Sequence, residues 1–259
     1  MGHWRLGLPH MTRKWLEVVA ILSNGAAVED VAAATMRASQ SGLKKAPQDP
    51  TLIYTFWLLT QIPKAARSEN FSEELRKLNL DVSNNPTLME IVAAFNDSIG
   101  IYSQHNRVRS DIGAMAQLAA TEIMSEVVGK KLPTLFYPEP GDVQSAFKSF
   151  SETKHFSSLG RTFFTRFTER YLKYYLSREL SNHVGPTKAF KNIDDHSDFN
   201  DAFHLHCHET SRIVQEFVGE WYSKQTYQGG IDEKKSQNFL SKALGKIRKE
   251  LERRGQAHG

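Results

Sequence analysis

Residues 154–184 read KHFSSLGRTFFTRFTERYLKYYLSRELSNHV, and this stretch decides the fold. It contains no proline, and its apolar side chains recur at the three- and four-residue spacing that predicts an α-helix. The aromatic side chains gather on one side of that helix: Phe163, Phe167, Tyr171, Tyr174 and Tyr175. A helix with so broad an apolar surface packs on more than one side. We therefore expect a central helix that ends before Gly185-Pro186, because proline cannot continue the ladder.

The other apolar patterns along the chain also predict helices, since no segment of the first half alternates with period two for the length of a strand. The remaining helices are predicted over residues 11–23, 28–41, 51–61, 71–80, 87–104, 110–129, 143–150 and 198–224, with a last one after Asp232. The fold class is therefore all-α, a multi-helix bundle of about nine or ten helices in two packed halves.

A proline-rich segment, KKLPTLFYPEPGD, interrupts the helical pattern at residues 130–142 and predicts a boundary between the two halves. On this basis we expect four segments. They are a flexible N-terminal tail (1–10), an N-terminal helical half (11–129), a proline-rich connection (130–142) and a basic C-terminal helical half (143–259).

Composition limits the class of protein. With 259 residues the chain can bury a large core, so it needs neither disulfides nor metal to fold. Its single cysteine, Cys207, excludes an intramolecular disulfide and favours a reducing compartment. No apolar run approaches the roughly 20 residues that span a bilayer, and the N-terminus lacks the apolar core of a secretory signal. We expect a cytoplasmic protein without membrane contact.

Positive charge is concentrated in the second half, because residues 1–130 carry equal numbers of basic and acidic side chains while the whole chain has a net charge of +4. Two groups of cations are candidates for binding nucleic acid or a protein partner. The first is a strip on the central helix, formed by Arg166, Arg170 and Lys173; the second lies on the last helix and consists of Lys242, Lys246, Lys249 and Arg253. The alternative is an ordinary solvated face, since Glu250 and Glu252 lie among the lysines.

Arg178 interrupts the aromatic face of the central helix and therefore needs a partner or an opening. It begins the string R-x4-H, which ends at His183. This spacing resembles the motif of HEPN-type ribonucleases, which are helical and cut RNA without metal, usually as dimers. The resemblance implies an arginine that stabilises phosphate charge and a histidine that transfers protons. The alternative is a structural arginine, with His183 stabilised by a helix C-terminus.

A histidine-rich stretch offers a third kind of site. Asp201, His204 and His208 lie at helical spacing on one face, where two imidazoles and a carboxylate can bind zinc or a non-haem iron. The alternative is a polar strip that faces solvent or a partner. Cys207 and His206 point to the apolar side and are read as core residues.

The chain contains no GxxxxGK[ST], GxGxxG or GxSxG motif, so nothing indicates a nucleotide enzyme or a serine hydrolase. The strings RELSNHVG, EFVGEWYSK and GGI in the last third are similar to a pattern in uncharacterised helical proteins of bacterial antiphage-defence gene clusters. That resemblance implies an accessory subunit beside an ATPase or nuclease. The leading expectation is a non-catalytic adaptor subunit of a larger protein complex, without a cofactor, that contacts DNA or RNA.

Overall fold

A computed structural model of the chain describes residues 4–7, 12–133 and 139–258, apart from the side chains of Pro140, Arg178 and His258. The all-α class is confirmed, because the described residues form 11 α-helices and no β-strand. The helices are α1 (Arg13–Ser23), α2 (Val28–Lys45), α3 (Pro50–Ala65), α4 (Phe71–Lys77), α5 (Leu88–His105), α6 (Asp111–Ile123), α7 (Pro140–Ser149), α8 (Thr153–Leu180), α9 (Ile193–Thr210), α10 (Arg212–Tyr227) and α11 (Glu233–His258). Among the described residues, no helix combines the length and hydrophobicity needed to cross a bilayer.

Helix α8 is the central element. It packs against α2, α6, α9 and α10, and its aromatic side chains are buried along most of its length. Phe156 near its start stacks on Tyr222 of α10, with the ring centroids 3.8 Å apart. Farther along, Phe163 and Phe164 pack against Phe56 of α3. Ring pairs of this kind add specific geometry to the area that they bury, so they fix how the helices around α8 are placed.

Two glycines allow α8 and α10 to approach each other closely. A Cβ atom at Gly219 of α10 would lie 2.3 Å from the carbonyl oxygen of Thr153 and 2.1 Å from Oγ of Ser157. On the other side of the contact, a Cβ atom at Gly160 would lie 2.9 Å from the methyl groups of Val218. Small residues let helix axes come near each other, so this crossing depends on the absence of side chains at both positions.

The helices do not form two separate halves. Helix α11, near the end of the chain, packs along α2 so closely that a Cβ atom at Gly255 would lie 2.4 Å from that of Ala33. Trp57 Nε1 of α3 donates a 2.9 Å hydrogen bond to the carbonyl oxygen of Ile231, just before α11. The elements on the two sides of residues 130–142 therefore share one hydrophobic core, and the expectation of two packed halves was wrong.

The helix predicted over residues 198–224 is two helices, α9 and α10, which meet at Ser211. The carbonyl oxygen of His208, in the last turn of α9, accepts a 3.1 Å hydrogen bond from Nε of Arg161 on α8. The same guanidinium donates to Glu209 and to Gln215, one on each side of the break. Because Arg161 satisfies polar groups on both helices, the break is stable, and it accounts for one of the helices beyond the expected number.

Parts of the expected tail and connection lie outside the described residues, namely 1–3, 8–10 and 134–138. Within the tail, residues 4–7 contact the helices. Leu6 is buried, and its backbone N–H donates a 2.8 Å hydrogen bond to the carboxylate of Asp111. The carbonyl oxygen of Leu6 accepts a 3.0 Å hydrogen bond from the hydroxyl of Tyr174. These contacts tie residues 4–7 to the start of α6 and to the second half of α8.

The α8–α10 crossing can be tested by Gly219→Ala. The added methyl meets the Ser157 hydroxyl and also the backbone carbonyl of Thr153, which cannot rotate away. We therefore expect a loss of about 1–3 kcal/mol in the free energy of unfolding. Gly245→Ala is the matched control, because it lies inside α11 with nothing within 4 Å of the added Cβ. That variant should gain about 0.5–1 kcal/mol from helix propensity. Urea denaturation measures both, and equal effects of the two substitutions would contradict the close crossing.

Candidate functional site

The predicted basic strip lines a cleft between α6 and α8 with a volume of about 450 Å³. Apolar side chains and both signs of charge contribute to its walls, which consist of Met115, Leu118, Glu122, Arg166, Glu169, Arg170, Lys173, Tyr174 and Ser177. We call it the α6–α8 cleft. The geometry therefore brings the three strip cations together, as the helical spacing predicted, but it places acidic side chains among them.

Ion pairs within the chain compensate the charge of the strip. Arg166 lies 3.1 Å from the carboxylate of Glu126 and 3.7 Å from that of Glu122. Arg170 pairs with the same Glu122, which approaches from α6 across the cleft. The carboxylates of Glu122 and Glu126 therefore form ion pairs with both guanidinium groups. These two arginines bind neighbouring parts of their own chain rather than presenting an open charge, and the third strip cation, Lys173, pairs with Glu169.

Glu169 is the centre of the network. Its side chain is nearly buried, yet Lys173 Nζ lies 2.8 Å from one carboxylate oxygen and His204 Nδ1 lies 2.6 Å from the other. Burial alone would raise the pKa of Glu169, but the contacts with Lys173 and His204 outweigh it and lower the pKa below its ordinary value of 4.5. A charged carboxylate at this position therefore joins α8 to α9.

The residues of the predicted zinc site are not brought together as ligands. Asp201 is exposed, and His204 turns to Glu169 instead. Burial and the positive charge of Arg161 lower the pKa of His208 below its ordinary value of 6.5. In residues 4–7, 12–133 and 139–258, no group of three histidine, cysteine or acidic side chains is placed to hold a metal ion.

The R-x4-H string lies where α8 ends. The backbone of Arg178 belongs to the last turns of the helix, while its side chain lies outside what the structure describes. His183 is buried in the short helical turn that follows, and its carbonyl oxygen accepts a 2.9 Å hydrogen bond from the backbone of Phe190. A proton-transfer residue has to reach its substrate, and His183 is only 8 % exposed.

The cations of α11 divide into three kinds. Lys242 and Lys246 place their ammonium groups 5.1 and 5.4 Å from the ring centroid of Phe217, within the range of a cation–π contact. Arg253 pairs with Glu250 at 2.6 Å. Arg253 and Arg254 together lower the pKa of the Glu250 carboxyl to about 2. Lys249 is exposed and has no ion pair among the described residues.

Sequence reasoning missed a second basic cleft of about 520 Å³, which we call the Trp4 cleft. Its walls come from three separate segments and consist of Trp4, Lys45, Gln48, Asp49, Pro50, Arg107, Val108, Arg109 and Ser110. The pair Arg107 and Arg109 in a loop was a signal in the sequence. Only the fold shows that this loop lies beside Trp4 and the end of α2, because the contributing residues are far apart in the chain.

Comparisons of this chain with protein-family models, with curated proteins and with solved structures found no match.

The role of Glu169 can be tested by Glu169→Gln, which keeps the shape and removes the charge. At about pH 6 we expect a loss of about 2 kcal/mol in the free energy of unfolding, because Lys173 and His204 lose a charged acceptor. Since the folded-state pKa is lowered, this contribution is present above the ordinary value of 4.5 and is lost as the pH falls below it. The difference between the two proteins should therefore shrink at about pH 3.5.

Glu126→Gln is the control for this measurement, since Glu126 is more exposed and its one ion pair among the described residues is with Arg166, which is not buried. It should cost about 0.5 kcal/mol or less. Urea denaturation at each pH gives both values. A Glu169→Gln variant as stable as Glu126→Gln across this pH range would show that the network contributes nothing to the fold.

Proposed function

We propose that this chain is a non-catalytic helical adaptor subunit of a larger protein assembly, which binds a protein partner through the outer surface of α5 and α6. One observation carries this proposal. Three large apolar side chains on these adjacent helices face solvent: Met89 is 70 % exposed, Ile101 67 % and Leu118 53 %. Exposed apolar side chains on neighbouring helices offer a partner apolar surface to bury, and such burial drives most protein association.

The shape of this surface supports a docking role. Leu118 lines the α6–α8 cleft on one side of α6, while Ala114 and Gln117 line a smaller cleft of about 240 Å³ toward α5 on the other. Helix α6 therefore forms a ridge between two grooves. A ridge with an apolar side chain at its crest suits a partner helix that inserts side chains on both sides.

Hydrogen bonds keep the two helices in place. Gln117 Nε2 donates to the side-chain oxygen of Asn96 at 3.0 Å, and the hydroxyl of Thr121 donates to the same oxygen at 2.8 Å. A surface held in this way loses little conformational freedom when a partner binds, so more of the contact energy is available for affinity.

The resemblance to helical proteins of bacterial antiphage-defence clusters supports the class of assembly. It suggests a cytoplasmic accessory subunit whose partner is an ATPase or nuclease, and whose cations contact nucleic acid. Because Arg166 and Arg170 form ion pairs within the chain, we expect the contact with nucleic acid to lie outside the predicted strip. No specific geometric observation in the described residues favours the ribonuclease or the zinc alternative.

The docking surface can be tested with Leu118→Asp and Ile101→Asp. We expect the wild-type protein, purified from its native source, to retain a partner, and cross-links of that partner to lie on α5 and α6. Each substitution should weaken its retention at least tenfold, because it places a charge in an apolar contact.

Leu16→Asp on α1 is the matched control, since Leu16 is 54 % exposed and thus equal to Leu118 in accessibility. It should leave retention unchanged. A wild-type protein that is strictly monomeric and retains nothing would contradict the adaptor function, and equal losses in all three variants would contradict the assigned surface.

A further inference from the structure

The backbone of Trp4 is tied to the folded chain although this residue lies near the start of the sequence. The backbone N–H of Trp4 donates a 2.9 Å hydrogen bond to the carbonyl oxygen of Arg109, and its carbonyl accepts one of 3.2 Å from Asp111. Buried Leu6 anchors the chain two residues later. Trp4 nevertheless remains 42 % exposed at the edge of the Trp4 cleft. An exposed aromatic ring on an anchored backbone is a platform on which a flat ligand can stack.

Unpaired positive charge surrounds this ring. The side chains of Lys45, Arg107 and Arg109 are exposed, and none of them forms an ion pair or hydrogen bond with another described residue. Asp49 is the only acidic residue among those lining the cleft. It is buried, and its carboxylate accepts hydrogen bonds from Ser110 Oγ at 2.5 Å and from the backbone of Leu52 at 2.9 Å.

The two clefts differ in whether acidic side chains pair with their cations. In the α6–α8 cleft, acidic side chains lie against the arginines, whereas the three cations of the Trp4 cleft are left without such a partner in the described part of the chain. Arg107 also has a left-handed backbone with φ of 56°. For a residue other than glycine this conformation costs about 1 kcal/mol or more. The loop that carries the two arginines therefore has a strained backbone at Arg107.

We propose that the Trp4 cleft binds single-stranded nucleic acid, with one base stacked on Trp4 and the adjacent phosphates bound by Arg107, Arg109 and Lys45. Stacking on an indole needs an unpaired base, which excludes the interior of a duplex. A phosphate-bearing ligand with an aromatic ring accounts for both features of the cleft, whereas an acidic peptide accounts only for the charge.

The extent of the charge favours a strand over a single nucleotide. Lys44 and Arg248 line a neighbouring cleft of about 180 Å³, so positive charge continues beyond the space that one base and its phosphate would fill. This inference rests on the nucleic-acid part of the proposed function and is independent of protein docking on α5 and α6.

Fluorescence anisotropy with labelled single strands of DNA and RNA, each about 15 nucleotides long, tests the proposal. The wild-type protein should bind, with an affinity that falls as salt is raised. Arg107→Gln/Arg109→Gln should weaken binding and reduce the slope of log affinity against log salt by about 2. Trp4→Ala should weaken binding roughly tenfold, while Trp4→Phe retains most of it, because a phenyl ring still stacks.

Lys242→Gln/Lys246→Gln is the control, because these two lysines lie over Phe217 and outside the cleft. Binding should be unchanged, and circular dichroism confirms that each variant is folded. Three results would overturn the proposal: no binding by the wild-type protein at low salt, binding that depends on Lys242 and Lys246 but not on the cleft, or displacement of the strand by polyglutamate at equal charge.

Adenosine monophosphate separates a strand site from a nucleotide site. If it competes as tightly as the strand, the cleft binds a mononucleotide and the strand proposal is wrong; much weaker competition supports a strand.

Leu118→Asp should bind the strand normally, so a failure of protein docking and a failure of strand binding are distinguished in the same set of proteins.

Discussion

The burial of α8 on several sides is the constraint on which the rest of the structure depends. With α2, α6, α9 and α10 around it, polar side chains such as Thr165, Thr168 and Glu169 are buried, and an unpaired buried charge costs several kcal/mol. Glu169 is stabilised by Lys173 and His204, and Arg161 by groups at the junction of α9 and α10. The polar positions of α8 therefore select the helices that can lie beside it, just as its aromatic positions bury the core.

Close helix contacts complete this arrangement. Gly219 brings α10 onto the first turn of α8, and Gly255 brings α11 onto α2. Both contacts join elements far apart in the chain, and the second connects residues on opposite sides of the proline-rich segment. A boundary in composition is thus not a boundary in packing. Prolines interrupt the helical ladder locally, whereas the core is continuous wherever apolar faces meet.

Much of this fold could be predicted from the sequence, because helix formation has local signals. The aromatic periodicity of residues 154–184 was enough to predict a central helix, which the structure confirms. The break at Ser211 could not be predicted, since neither proline nor glycine marks it and Arg161, which stabilises it, lies about 50 residues earlier. The partners of Arg166 were equally hidden, because Glu122 and Glu126 approach it only in the folded chain.

The same reasoning explains why the density of cations along the sequence did not predict where unpaired positive charge lies on the folded surface. Arg166, Arg170 and Lys173 are close in sequence, but a central helix lies within reach of acidic side chains on its neighbours and its own turns, and these compensate it. Lys45 lies at the end of α2 and Arg109 in the loop before α6, and no acidic side chain pairs with either of them among the described residues. The field that a ligand meets depends on uncompensated charge rather than on the number of cations. A binding surface of this protein is therefore to be sought where packing leaves cations unpaired, at the edges of the bundle and not along its central helix.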